Sequence, residues 1–183
     1  MHIRKIDILC LYLLCSLVLS PMAQAQSKKD IASIHARLTE EIRHELIMLS
    51  NYSVFDILSF EITDLDTVIL SGQVTQPILK SDAENAIRRL EGVGKIVNKI
   101  EVLPLSSNDD RIRLAVYRSI FSKTRLDQYV LRAVPPIHII VKNGNVTLVG
   151  NVASQMDKDI AGIAAHEVSG IFSVTNNLKV ESP

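Results

Sequence analysis

The sequence predicts an α+β fold made twice: two tandem αββαβ domains, each a three-stranded sheet with two helices packed on one face. Three observations predict it. Displaced by 78 residues, the chain matches itself without a gap. Leu70, Gly72, Val74, Ala86, Gly92, Asn98 and Val102 fall on Leu148, Gly150, Val152, Ala164, Gly170, Asn176 and Val180, and a fixed-period repeat has to be recognised before any fold is read. Within each copy, apolar residues recur at helical spacing in two segments and alternate in the segments between and after them. In the second copy an Asn-Gly pair separates two such alternating runs, the strongest short-range mark of a hairpin. The expected boundaries are 33–104 and 109–182, behind a leader at 1–25.

The leader is expected from a positive start at Arg4 and Lys5, an apolar run from Ile8 to Leu19, and Ala23-Gln24-Ala25 as a small-residue cleavage site. Cleavage after Ala25 places the mature protein in the periplasm, free or peripheral on a membrane. The alternative is a retained anchor, although the run is shorter than the roughly 18 to 20 residues that span a bilayer. Both cysteines, Cys10 and Cys15, lie in this segment. Large residues (Tyr12, Leu13 and Leu14) precede Cys15, where a lipid-modified cysteine wants small ones.

In copy one, Ile34, Leu38, Ile42 and Leu46 predict an amphipathic helix over 34–49. In copy two, Ile112, Val116 and Ile120 do the same, with Asp109 and Asp110 at the start, where negative charge suits the helix dipole. The hairpin of copy two runs Ile137 to Val141 and Val146 to Val152 around Asn143-Gly144-Asn145. Copy one has Asp64-Leu65-Asp66 there and no Gly. Ala83, Ala86, Ile87 and Leu90, and Ala161, Ala164, Ala165 and Val168, mark the second helix of each copy. Pro77 suits a first turn, and Gly92 and Gly170 suit left-handed caps just past the ends. Asn98, Ile100 and Val102, like Asn176, Leu178 and Val180, alternate as a last strand. An amide among apolar neighbours is expected to hydrogen-bond nearby loop backbone. The short linker from Leu103 to Asp109 keeps the copies close together.

The residues around Gly72 and Gly150, the alanine-rich helices, and the runs Glu91 to Val102 and Val168 to Val180 resemble the BON domain, named for bacterial OsmY and nodulation proteins. The resemblance covers essentially the whole chain after the leader. A leader followed by two such domains is similar to OsmY-like periplasmic and DolP-like outer-membrane proteins. The resemblance implies a non-catalytic envelope protein linked to phospholipid surfaces and to osmotic or envelope stress.

No catalytic constellation stands in the sequence. There is no Gly-x-Ser-x-Gly, His-Glu-x-x-His, P-loop or dinucleotide fingerprint. No enzyme activity, metal or cofactor is expected. His35, His44, His138 and His166 lack the spacing of ligands on one helix, and His138 is expected to be a partly buried structural residue. Asp157 and Asp159 are expected to be solvated or capping. The core must be largely aliphatic, since there is no Trp and only four Phe and four Tyr.

The formal net charge is zero, but residues 26–104 carry nine basic against twelve acidic side chains, and residues 105–183 nine against seven. The asymmetry concentrates at 111–132. There Arg111, Arg118, Arg125 and Arg132 recur every seven residues, with Arg113 and Lys123 added and Asp127 the one acid. If the helix runs through Arg125, the first three arginines share a face. Tyr117 and Phe121 lie among them. The equivalent 33–54 of copy one sets Glu40, Glu41 and Glu45 against Arg37 and Arg43. These eight residues (the six cations, Tyr117 and Phe121) form the expected site for an anionic phospholipid surface. There each cation contributes about 1 kcal/mol and the rings insert shallowly. The competing reading is a soluble, holdase-like stress protein that recognises an envelope protein partner. Export argues against nucleic acid.

Overall fold

The computed structural model describes residues 20–63, 66–131 and 135–181, with side chains from residue 32 onward. Copy one holds α1 (Ser20–Ile47), β1 (Ile57–Thr63), β2 (Thr67–Val74), α2 (Pro77–Ile87), β3 (Lys95–Asn98) and β4 (Glu101–Val102). Copy two holds α3 (Ser107–Phe121), a 3₁₀ turn (Asp127–Tyr129), β5 (Ile137–Lys142), β6 (Asn145–Val152), α4 (Gln155–His166) and β7 (Ser173–Val180). The chain divides into compact units at Glu40 and Glu41, and both sheets lie in the second. Most of the expected leader lies outside the described residues. α1 begins at Ser20 rather than near Ile34, and so runs through the cleavage point expected after Ala25.

Both sheets have the same topology. β1 pairs antiparallel with β2, and β2 parallel with β3 and then β4; β5, β6 and β7 repeat the pattern. A parallel neighbour needs a crossover, which α2 and α4 supply. In copy two, Ile137, Ile139, Val141, Val146, Leu148, Val152 and Leu178 face Ile112, Val116 and Ile120 of α3 and Ala161, Ala164 and Ala165 of α4 across one core. A fully buried side chain of this size contributes about 1.5–3 kcal/mol. The alanines leave no bulk between helix and sheet.

The hairpin of copy two closes on Asn143 and Gly144, with φ of 51° and 76°; two positive φ values are what a type I′ turn requires. The last strand of copy one departs from expectation. It is broken between Asn98 and Glu101, so this sheet has two short segments where copy two has one continuous strand. The repeated asparagine behaves alike in both. Asn98 Nδ2 donates to Lys80 O at 2.8 Å, and Asn176 Nδ2 to Lys158 O at 2.7 Å. Each Oδ1 accepts the N–H two residues on. The amide thus ties the last strand to the second helix, on helix rather than loop backbone.

Gly72 and Gly150 sit at φ of +127° and +129°, where a Cβ would stand 2.0 Å from Ile57 O and 1.8 Å from Pro136 O. Only glycine fits. Gly92 and Gly170 also have positive φ, but they stand beyond the helix ends at Ile87 and His166, whose C-cap residues Arg88 and Glu167 are right-handed. They turn the connection toward the last strand instead of capping the helix.

The copies interlock through residues 52–56. Ile139 N–H donates to Val54 O at 2.8 Å, and the Val54 side chain joins the core of copy two. Phe55 meets Tyr117 edge-on at 6.0 Å, and Tyr52 lies 5.6 Å from His138. Asp56 is fully buried and needs donors. Its carboxylate accepts Thr75 N–H at 2.6 Å, Thr75 Oγ1–H at 2.8 Å, Ser53 N–H at 3.0 Å and Ser53 Oγ–H at 2.5 Å. Elsewhere along the junction, Lys142 Nζ and Gln73 Nε2 donate to the Glu101 carboxylate at 2.6 and 2.7 Å.

Candidate functional site

α3 starts where Ser106 caps it, its side chain accepting Asp109 N–H at 3.2 Å. Asp109 does more than complement the helix dipole. Buried at 1% exposure, its carboxylate accepts the N–H groups of Asn143 and Gly144 at 2.8 and 2.9 Å and clamps the hairpin turn to α3. α4 starts in the same way at Ser154, which accepts Asp157 N–H. Asp157 is buried rather than solvated. It accepts Tyr129 Oη–H at 2.9 Å and pairs with Arg125 Nε. Burial pushes its carboxyl up, but the hydrogen bonds from Tyr129, Ser154 and Arg125, with the Arg125 charge, outweigh that and hold it below the ordinary carboxylate value. Ser-x-x-Asp at each start was readable as a capping pattern; the distant partners of the two aspartates were not.

The expected cationic set separates into four groups. Arg111 and Arg118 are exposed on α3, one heptad apart, with Leu114 between them at 48% exposure. Arg111 donates to Asn108 Oδ1 at 3.0 Å, and Arg118 has no side-chain partner among the described residues. Arg113 is a correction: at 5% exposure it pairs with Asp110 and donates to Val141 O at 2.7 Å. It holds α3 to β5, and burial keeps it from any outside surface.

Arg125 is also displaced, because α3 ends at Phe121 and the chain then turns. Arg125 stays half exposed, but it is held by Asp157 and by Ser154 Oγ at 3.2 Å. Lys123 pairs with Glu167 at 2.7 Å. Arg132 lies outside the described residues. Tyr117 and Phe121, 4.8 Å apart, are half buried against the core. The exposed cationic face of α3 is therefore Arg111, Leu114 and Arg118, extended by the held charges of Lys123 and Arg125.

His138 is buried, as expected of a structural residue, and its Nδ1 has no partner among the described residues. Burial lowers its pKa, opposed by the backbone of Asp56 and Ser53 and by the Asp56 charge. Burial also pushes the Tyr52 hydroxyl up to about 12. Among the described residues there is no cluster of three metal-ligating side chains, and no helix is long and apolar enough to cross a membrane.

The family model described as the BON domain matches the chain twice, at 35–104 and 108–182. No curated protein matches it. Among solved structures, the C-terminal domain of CdsD, the structural protein of the type III secretion system of Chlamydia trachomatis, is similar at 11% identity. The match has a TM-score of 0.34 over 78% of this chain and 96% of that one. A second CdsD structure is similar at 12% identity and a TM-score of 0.30, over 79% and 92%.

Proposed function

Since the chain belongs to the BON domain family, in two tandem copies, we propose that it is an exported, non-catalytic envelope protein that docks on anionic phospholipid. BON domains are non-catalytic binding modules of envelope-associated proteins and bind membranes and phospholipids in general. In this reading α3 of copy two makes the contact. Arg111 and Arg118 take headgroup charge, Leu114 enters the interface, and Lys123 and Arg125 add to the local field. The observation that carries it is Arg118, exposed and without a side-chain partner among the described residues, on the same face as exposed Arg111 and Leu114. The matching helix segment of copy one is acidic.

Sedimentation with anionic and neutral vesicles, at low and high salt, tests it. Binding is expected to anionic vesicles alone and to weaken as salt screens the charges. Arg118→Glu changes the charge by two and costs about 2 kcal/mol of attraction, without touching a core residue. Full binding by that variant removes α3 as the site. Binding indifferent to salt and lipid charge would favour an apolar protein partner and the stress-protein reading.

A further inference from the structure

Copy two carries a second surface that its fold does not require. On α4, Met156, Ile160 and Ile163 follow one another at i, i+4 and i+7 and so share a helix face. Met156 is 59% exposed and Ile163 61% exposed; Ile160 is half buried. The core contacts of α4 are made by Ala161, Ala164 and Ala165, with Ile160 packed against them from the edge of the stripe; Met156 and Ile163 are not part of that core. Displaced by 78 residues, these positions are Ile78, Asp82 and Asn85 on α2, so copy one keeps the first apolar residue and replaces the other two with polar ones in the same topology.

The stripe occurs only in the copy whose first helix is basic. α3 and α4 pack on one face of the same sheet and are joined by Ser119 Oγ–H donating to Ala164 O at 2.7 Å. Cations bracket α4 at its two ends: Arg125 sits on Ser154 and Asp157 at the start, and Lys123 on Glu167 just past the end. One acid on α4 is left facing solvent, Asp159, held by Gln155 at 2.7 Å. Both bracketing cations are balanced by carboxylates, and the neighbouring α3 adds the charges of Arg111 and Arg118, which have no ion pair among the described residues. An apolar stripe beside that charge is complementary to a surface that is anionic outside and apolar beneath.

We propose that α4 is the insertion element of copy two. Met156 and Ile163 enter the boundary between headgroups and acyl chains of an anionic lipid surface, with Ile160 backing them from the core, while Arg118, Lys123 and Arg125 stay at headgroup level. This rests on the lipid reading of α3 and extends it to a second helix, so that the whole helical layer of the domain faces the membrane.

The chain has no tryptophan, so Ile163→Trp places a single reporter on the stripe, and Asn85→Trp places the control at the matching position of copy one. On phosphatidylglycerol–phosphatidylcholine vesicles the emission of Trp at 163 is expected to shift to the blue and to be quenched by brominated acyl chains. The control is expected to do neither. The double variant Met156→Gln/Ile163→Gln, at two exposed positions, is expected to keep its circular dichroism spectrum and to bind these vesicles about tenfold more weakly.

Unshifted emission at 163 in a protein that still sediments with the anionic vesicles overturns the α4 proposal and leaves the α3 reading standing. Absence of sedimentation by the unmodified chain overturns the lipid reading itself. An equal blue shift on pure phosphatidylcholine overturns the role given to the bracketing cations.

Discussion

The two copies share one topology yet divide their tasks. In copy two, Ile137, Ile139 and Val141 on the first strand are fully buried. In copy one the first strand leaves Leu58, Phe60 and Ile62 half buried. Copy two has a glycine-closed hairpin and a continuous last strand; copy one has neither. Copy one also gives Val54 to the core of its partner. The two copies are therefore not independent beads. One copy became the better-packed, cation-bearing half, and the other supplies part of its wall.

Five measurements probe how far the two copies differ. The largest effect is expected at the repeated glycine. Gly150→Ala drives a Cβ into Pro136 O at a backbone angle that L-residues avoid, and is expected to cost about 3–4 kcal/mol in denaturant melts. Gly72→Ala meets Ile57 O in the same way. A smaller cost at Gly72 would show that copy one tolerates strain better because it is less tightly packed.

Next is the Asp157 node, where copy one has Leu79. Asp157→Leu imports the apolar solution of the sister copy but removes the acceptor of the Tyr129 hydroxyl proton and the carboxylate that pairs with Arg125. A loss of about 2 kcal/mol is expected, below the full cost of breaking a buried pair because Arg125 is half exposed. Because the Asp157 pKa is depressed on folding, its stabilisation is present above the ordinary value of 3.8 and lost as pH falls through the folded value. Acid melts of the leucine variant are expected to lack that component.

Val54→Ala comes third, at about 1–2 kcal/mol. The informative readout is hydrogen exchange. Faster exchange at Ile139 N–H, which donates to Val54 O, is expected although the substitution lies in the other copy. Protection unchanged along β5 would make the copies independent after all.

His138 provides the pH test of the same junction. Its folded pKa lies below the ordinary 6.5, so the unfolded chain takes up the proton first. The neutral histidine stabilises fully above 6.5, and this is lost as pH falls from 6.5 toward the folded value. His138→Phe is expected to flatten the stability profile in that window. An unchanged slope would assign the acid sensitivity elsewhere. The smallest effect is expected from Lys142→Ala, which removes a half-exposed pair with Glu101 and costs less than about 1 kcal/mol.

Much of the fold was legible because its marks are local. A 3.6-residue period, an alternating run, an Asn-Gly turn and a Pro at a helix start each act within a few residues, and the repeat doubled every reading. The broken strand of copy one was not legible, since Asn98 and Asn176 make the same bonds in both copies. The burial of Arg113 and the ion pairs of Lys123 and Arg125 were not legible for a related reason. Arg113 lies off the heptad of Arg111 and Arg118, on the buried side of α3, where it donates to Val141 O, 28 positions away. Arg125 and Lys123 find carboxylates 32 and 44 positions away.

By itself the sequence determined the family, the repeat and the order of elements, because hydrophobic periodicity and turn chemistry are properties of neighbours along the chain. Tertiary packing set which cations stay exposed, which copy plugs the other, and that Met156 and Ile163 of α4 lie outside the core. Charge and burial depend on what packs opposite, and the groups that pack opposite here are brought together by the two sheets.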